Sequence, residues 1–493
     1  MYLWILITGG AFSFFAAMGI GANDAANSFA TSIGSKALNM KQAVILAAIF
    51  ETAGAILMGG HVTDTIRKGI ADYKCFEAQP ELLMYGCMWV VLSVGLWLFL
   101  ASKYEMPVST THSCVGGMIG MTMVLAGADC VIWYKPLNTF PYVGGVSGIV
   151  VSWFLSPIFS ALFAMFIFGI TRSLVLRKDF NSYRINIAYP VLIGSTMTIN
   201  SFFIIYKGAK GLGLDKTPLG IALGSAFGIG LGSAIITIPV VPYLKKFINK
   251  KINNQLEYKV SSQTNIEMIT NDITENKDKL NIKSLKEMNR IMKLHENAEK
   301  FDVKTEELFK YLQVFTAICC SFSHGANDVS NAIGPFAVIY VLYENNYNIT
   351  SGKTDMGDNA YWILAMGGAG IAVGLFVYGY KIIYAMGEKL CKITPSRGTA
   401  IELSSALVII IGSRLKIPLS TTHCQVGATT GVGFLENTKN CSGINCRVFC
   451  KTVVGWLVTC VIVGLSTALL TAQGTYSPAV IGWGNVPANY TLN

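Results

Sequence analysis

A chain of 493 residues that is 52% apolar and only 13% charged has too little polar surface to wrap a soluble globule of its size. Its formal net charge of +10 raises the question of nucleic acid, but the Lys and Arg residues gather in loops beside apolar runs, as cytoplasmic membrane flanks do, and argue against such a partner. The composition predicts an all-α integral membrane protein with the lipid bilayer as its solvent.

The first apolar run, 2–20, has neither a basic leading region nor a small-residue cleavage site and reads as a retained span. Directly behind it, "GIGANDAANSFATSIGSKAL" places Asn23, Asp24, Asn27, Ser28, Thr31 and Ser32 where lipid or its boundary is expected. Further spans are predicted near 42–60, 146–170, 187–206, 217–242, 312–343, 361–384 and 451–472, each close to or above the roughly 20 residues that cross a bilayer. Two regions differ. Over 82–127 and 399–435 an apolar arm runs into a polar tip, "MPVSTTH" or "IPLSTTH", and a shorter Gly-rich arm follows. Each is expected to enter the membrane and return, because irregular backbone at that depth survives only inside protein or beside a watery cavity.

Residues 245–310 are rich in Lys, Glu and Asn and form a hydrophilic loop between a membrane half over 1–244 and another over 311–493. Its first part reads as disordered, and helical spacing of Ile, Leu and Met returns from about 280. Basic residues at Arg172, Arg177, Lys178 and Arg184 and at Lys245, Lys246, Lys250 and Lys251 assign both loops to the cytoplasm. Counting outward with the hairpins as non-crossing puts both termini outside, together with the sequons at Asn348 and Asn489. Cys87, Cys319, Cys320 and Cys460 lie in apolar runs and read as packing thiols; Cys441, Cys446 and Cys450 are close enough for a metal but have no His companion.

"SHGANDVSNAIGPF" repeats the first Gly-Ala-Asn-Asp word three hundred residues later, and the count sends the Asp24 span inward and the Asp328 span outward. The predicted architecture is therefore an inverted repeat with two re-entrant hairpins, one entering from each face, as in secondary transporters. A buried Asp costs roughly 2.5–3.5 kcal/mol on the insertion scale and calls for a cation, a proton or water. Asp24 and Asp328, with Asn23, Asn27, Asn327 and Asn331, supply hard oxygens suited to sodium; capping of a half-helix is the bland alternative. Ser109, Thr110 and Thr111, and Ser420, Thr421 and Thr422, stand at Pro-led helix starts whose hydroxyls and free N–H groups suit a tetrahedral oxyanion, or else simply cap packed half-helices. Glu51 and Glu402 are further buried acids, each a cation or proton ligand or a protonated hydrogen-bonding group. They are not mirror images in the sequence. His112 and His423 are expected to orient a backbone carbonyl rather than carry a proton.

The two Gly-Ala-Asn-Asp words, two Pro-x-Ser-Thr-Thr-His words and intervening hydrophilic loop resemble the inorganic phosphate transporter (PiT) family over both halves of the chain. The resemblance implies cation-coupled phosphate uptake, usually with sodium in eukaryotic members and with protons or metal–phosphate in many bacterial ones, and a homodimer. It places phosphate on Ser109, Thr110, Thr111, Ser420, Thr421 and Thr422, cations on the two Asp–Asn sets, and transport-critical acids at Glu51 and Glu402. The expectation is a symporter of a plasma membrane, not an enzyme, with no cofactor beyond co-transported sodium. A proton-coupled phosphate or sulfate carrier is the nearest alternative, ahead of an intramembrane hydrolase or an ion channel. A hydrolase needs one nucleophile and base, not a matched inverted pair.

Overall fold

The computed structural model describes residues 2–138, 142–206, 214–262, 282–348, 361–436 and 443–476; Cys441 and the Asn489 sequon lie outside them. The chain opens with α1 (Leu3–Ile20), winds once as a π-turn over Gly21–Ala25, and continues as α2 (Ala26–Gly34). The first motif word therefore sits on a local widening of the helix, a feature frequent at functional positions. A capping box of Asn39 and Gln42 starts α3 (Met40–Gly69). The first hairpin is α4 (Pro80–Lys103), a polar tip, and α5 (Thr110–Ala126). Then come α6 (Gly145–Thr171), α7 (Tyr183–Ile205) and α8 (Leu219–Ser262). The second half comprises α9 (Ile282–Glu296), α10 (Val303–Glu344), α11 (Tyr361–Tyr378) and α12 (Tyr380–Glu388). The second hairpin is α13 (Pro395–Arg414) and α14 (Thr421–Glu436), and α15 (Cys446–Tyr476) closes the described chain.

Among the described residues, seven helical stretches are long and apolar enough to cross a bilayer: Leu3–Gly34, Met40–Gly60, Pro80–Lys103, Gly145–Leu176, Leu219–Asn254, Tyr361–Tyr378 and Cys446–Tyr476. The expected spans at 187–206 and 312–343 are helical, as α7 and part of α10, and the second is too polar to join that set. For α10 the reason is its position. Its residues from Cys319 to Ile339 are buried in protein, so its polar motif never meets lipid. Peripheral helices carry the exposed apolar surface instead, through Phe154 and Phe166 on α6, Phe227 and Ile236 on α8, and Leu457 and Leu469 on α15.

Side-chain contacts fix the directions of the central elements. Tyr2 N donates to the Tyr347 hydroxyl at 3.2 Å and Ser13 Oγ to Ala332 O at 3.0 Å, so α1 and α10 run antiparallel. Thr8 reaches Met88 at 3.0 Å and Asn23 reaches Ser102 at 3.0 Å, so α4 starts at the same end as α1 and descends beside it. At the opposite end Ser396 meets Glu306 at 2.7 Å, and deeper Gln313 meets Glu402 at 3.1 Å, so α13 runs parallel to α10. The hairpins thus enter from opposite ends. Close backbone approach holds α3 against α10: a Cβ at Gly325 would overlap the Glu51 backbone, and one at Gly54 the Phe322 backbone.

The segment after Lys245, read from composition as disordered, instead prolongs α8 to Ser262. Val241, Leu244, Ile248 and Ile252 form its apolar stripe and pack in one cluster with Leu308 and Leu312 of α10. The helical spacing predicted from about 280 is realised by α9. Cys75 and Cys130 form a disulfide that straps the α3–α4 loop to the loop after α5, a pairing their sequence spacing did not announce. Cys87, Cys319 and Cys320 are buried thiols as expected; Cys446 and Cys450 are exposed, with no metal-binding cluster among the described residues.

Candidate functional site

The two hairpin tips meet midway between the ends, at the level of both Asp residues. Ser109 starts α5 by accepting from His112 N at 3.2 Å, and Ser420 starts α14 by accepting from His423 N at 3.3 Å. The tips interlock reciprocally: Thr111 Oγ1 donates to Leu419 O at 2.8 Å, and Thr422 Oγ1 donates to Val108 O at 3.0 Å.

The threonine hydroxyls converge on the carboxylates. Thr110 Oγ1 donates to Asp24 Oδ2 at 2.6 Å, and Thr422 Oγ1, from the other tip, shares its one proton between Asp24 Oδ1 and Val108 O. Thr421 Oγ1 lies 3.1 Å from both oxygens of Asp328. Asn27 Nδ2 reaches Thr422 at 3.4 Å, and Asn331 Nδ2 reaches Thr110 at 3.0 Å, so each motif helix also grips the opposite half's tip. Asn327 Nδ2 donates to Leu419 O at 2.9 Å and to Asp328 at 3.0 Å. The side-chain oxygens of Asn27, Asn327 and Asn331 are buried and accept no hydrogen bond. Unsatisfied oxygens beside two carboxylates are suitable ligands for a hard cation.

Asn23 is different. Its Nδ2 donates to Ser102 Oγ and Met106 O, both at 3.0 Å, and its Oδ1 accepts from Val108 N at 3.0 Å. These bonds hold the first tip in place and leave its oxygen already engaged. The Ser109 and Ser420 hydroxyls are likewise engaged, at 2.7 Å and 2.5 Å from Nδ1 of His112 and His423. The six tip residues Ser109 to Thr111 and Ser420 to Thr422 are at most 1% exposed, so this conformation is closed to both ends.

Both buried glutamates meet α2. Glu51, from α3, accepts from Ser28 Oγ at 3.2 Å. Glu402, from α13, accepts from Thr31 at 2.7 Å, Ser32 at 2.5 Å, Gln313 at 3.1 Å and Thr316 at 2.6 Å. Sequence reasoning missed these partners, as it missed a column of four rings through the tips. Trp153 stacks on His112 with centroids 3.5 Å apart, His112 on His423 at 4.7 Å, and His423 on Trp456 at 3.6 Å. A signal was present: "VVSW" ending at Trp153 and "VVGW" ending at Trp456 are a third repeated word.

Half-entering hairpins from opposite ends, meeting over buried carboxylates inside a helical membrane protein, define a secondary transporter. The profile of the phosphate transporter family matches residues 20–467, and the chain belongs to that family, whose members are transporters rather than enzymes. It is 28% identical to the sodium-dependent phosphate transporter 1 of Rattus norvegicus, over 95% of each chain. It is 28% identical to the phosphate-repressible phosphate permease of Neurospora crassa, over 95% of this chain and 96% of that one. The chloroplastic inorganic phosphate transporter 2-1 of Arabidopsis thaliana is 33% identical over 93% of this chain and 70% of its own. A solved structure of a sodium-dependent phosphate transporter superposes with a TM-score of 0.74 at 29% identity, covering 96% of this chain and all of that one.

Proposed function

We propose that the protein takes up inorganic phosphate together with sodium by alternating access. The carrying observation is the competition for tip hydroxyls: Thr110, Thr421 and Thr422 donate to Asp24 and Asp328, the same donors that a tetrahedral anion at the tips requires. An anion entering beside two bare carboxylates meets repulsion and occupied donors. Sodium bound by Asp24 and Asp328 with the free oxygens of Asn27, Asn327 and Asn331 neutralises the carboxylates and releases the hydroxyls. Thr110, Thr111, Thr421 and Thr422, with the helix N-termini behind Ser109 and Ser420, then bind phosphate. Cation and anion binding are coupled because they share one set of hydrogen bonds. Asn23 positions the first tip, and Glu51 and Glu402 tie both halves to α2.

Each net positive charge moved inward gains roughly 2.3 kcal/mol per 100 mV, so a surplus of sodium charge over phosphate charge drives accumulation. The face bearing the Cys75–Cys130 disulfide is assigned to the outside of a plasma membrane, since such bonds persist in oxidising compartments. Both termini and Asn348 share that face, and segment 245–310 joins the halves 1–244 and 311–493 on the cytoplasmic side. The working unit is a homodimer, testable by light scattering of the detergent-solubilised protein.

The deciding experiment is phosphate uptake into proteoliposomes. Replacing sodium by choline at fixed pH is expected to abolish uptake. Uptake that persists in choline and follows a pH gradient instead overturns sodium coupling in favour of protons, and equal uptake of sulfate overturns the substrate.

A further inference from the structure

Beyond the first tip, on the side of the central segment, lies a cavity of about 320 Å³ that the tip chemistry does not use. Its wall carries Arg290 of α9, Lys389 behind α12, and Arg447 and Lys451, one turn apart on α15. Glu105 is its carboxylate and forms an ion pair with Lys389 at 2.9 Å. Among the described residues, no carboxylate pairs with Arg290, Arg447 or Lys451. Three cations converging on a concave wall repel one another until an anion enters. The floor is the first hairpin tip itself: Pro107 lines the cavity three residues before Thr110, and Lys451 Nζ lies 3.3 Å from Tyr104 O. A second cavity of about 430 Å³ shares Arg290, Asn445 and Arg447, adds Lys293, and extends along α9. Asn445 braces the wall by donating to Lys389 O at 3.1 Å.

We propose that this basic cavity is a second oxyanion site, which holds phosphate between the first hairpin tip and the solution on the central-segment side, and which α9 completes through Arg290. Two guanidinium forks and an ammonium match the several acceptor oxygens of a small tetrahedral anion. A cavity of about 320 Å³ is at the small end of ligand sites and has ample room for a single phosphate. The assignment of the occupant rests on the proposed transport function; the presence of an oxyanion site does not. It gives the central segment a role in the transport path.

Cys446, an exposed thiol lining the second cavity, is the reporter. In a full-length chain with Cys441, Cys450 and Cys460 replaced by serine, its reaction with a sulfonate-bearing thiol reagent is timed in neutral detergent, free of anionic lipid. Choline salts are used, so that the sodium-requiring tip site stays unloaded. Phosphate is expected to slow the reaction at least about threefold more than chloride at equal ionic strength, through competition within the focused positive field. Arg290→Gln/Arg447→Gln is expected to remove that difference and to slow the anionic reagent relative to a neutral one. Equal slowing by phosphate and chloride in the parent chain overturns the site without needing any variant. A second arm adds anionic lipid: if the lipid itself slows the reaction and abolishes any further protection by phosphate, the wall is assigned to lipid headgroups and the phosphate assignment is overturned. Loss of sodium-dependent uptake by the parent chain is a separate result and overturns the transport reading alone.

Discussion

Asp24 sits on a π-turn and accepts hydroxyls from both hairpin tips, whereas Asp328 sits within the continuous helix α10 and accepts one threonine, from its own half's tip. The glutamates differ as much: Glu402 gathers four donors from α2 and α10, while Glu51 holds Ser28. The same motif words, run in opposite directions, therefore build two unequal stations. An inverted arrangement lets one centre face either side, but nothing in it requires equal work from each half. The carboxylate that touches both tips is the one whose charge state bears on whether they stay together.

The sharpest test of this inequality is neutralisation. Asp24→Asn removes the sodium ligand whose neutralisation frees the hydroxyl sets of two tips, and is expected to lower the transport rate about a hundredfold. Asp328→Asn gives up one such set and is expected to cost about tenfold. Sodium-dependent phosphate uptake reads both, and equal losses erase the distinction. The glutamate pair follows. Glu402→Gln replaces one carboxylate oxygen with a donor facing hydroxyl donors and is expected to destabilise the fold by about 2 kcal/mol; Glu51→Gln is expected to cost about 1 kcal/mol. Thermal unfolding in detergent measures the ordering, and a larger drop for Glu51→Gln reverses it.

Smaller effects separate the two cross-tip bonds. Thr422→Val removes donation to Val108 O and to Asp24 and is expected to lower uptake about tenfold. Thr111→Val removes donation to Leu419 O alone and is expected to cost a few-fold. The smallest lies at the mouth of the second hairpin. There Arg397 is held by Glu436 at 2.7 Å and by Glu299 O at 2.7 Å, and Arg177 donates to Glu299 at 2.8 Å. The Arg177 hydrogen bond holds the Glu299 carboxyl below its ordinary value of 4.5. A lowered folded-state pKa stabilises above the unfolded value, and that contribution is lost as pH falls through the folded value. Because the pair is largely solvated, Glu299→Gln is expected to remove only about 0.5 kcal/mol at pH 7, and nothing below both values, in unfolding scans against pH.

The sequence exposed the motif words because polar residues repeated inside apolar runs are costly there and need a common cause. The hairpins were legible for the same reason: Pro107 and Pro418 each open a polar tip flanked by apolar arms. What remained hidden depends on tertiary neighbours. Nothing near Asn23 says that its amide is already engaged by Met106 and Val108. Cys75 and Cys130 stand 55 residues apart and meet only because α4 and α5 return to one end. Lys245 to Lys251 looked like solvated chain because composition outweighed the stripe through Ile248 and Ile252, whose value depends on α10 lying alongside.

The ring column has a practical consequence. Each indole lies against an imidazole of a different tip, and the two imidazoles face each other across the seam between the tips. With the other six of the eight tryptophans replaced, emission from Trp153 and Trp456 is expected to report changes in how the two imidazoles lie against them, an optical gauge of tip movement.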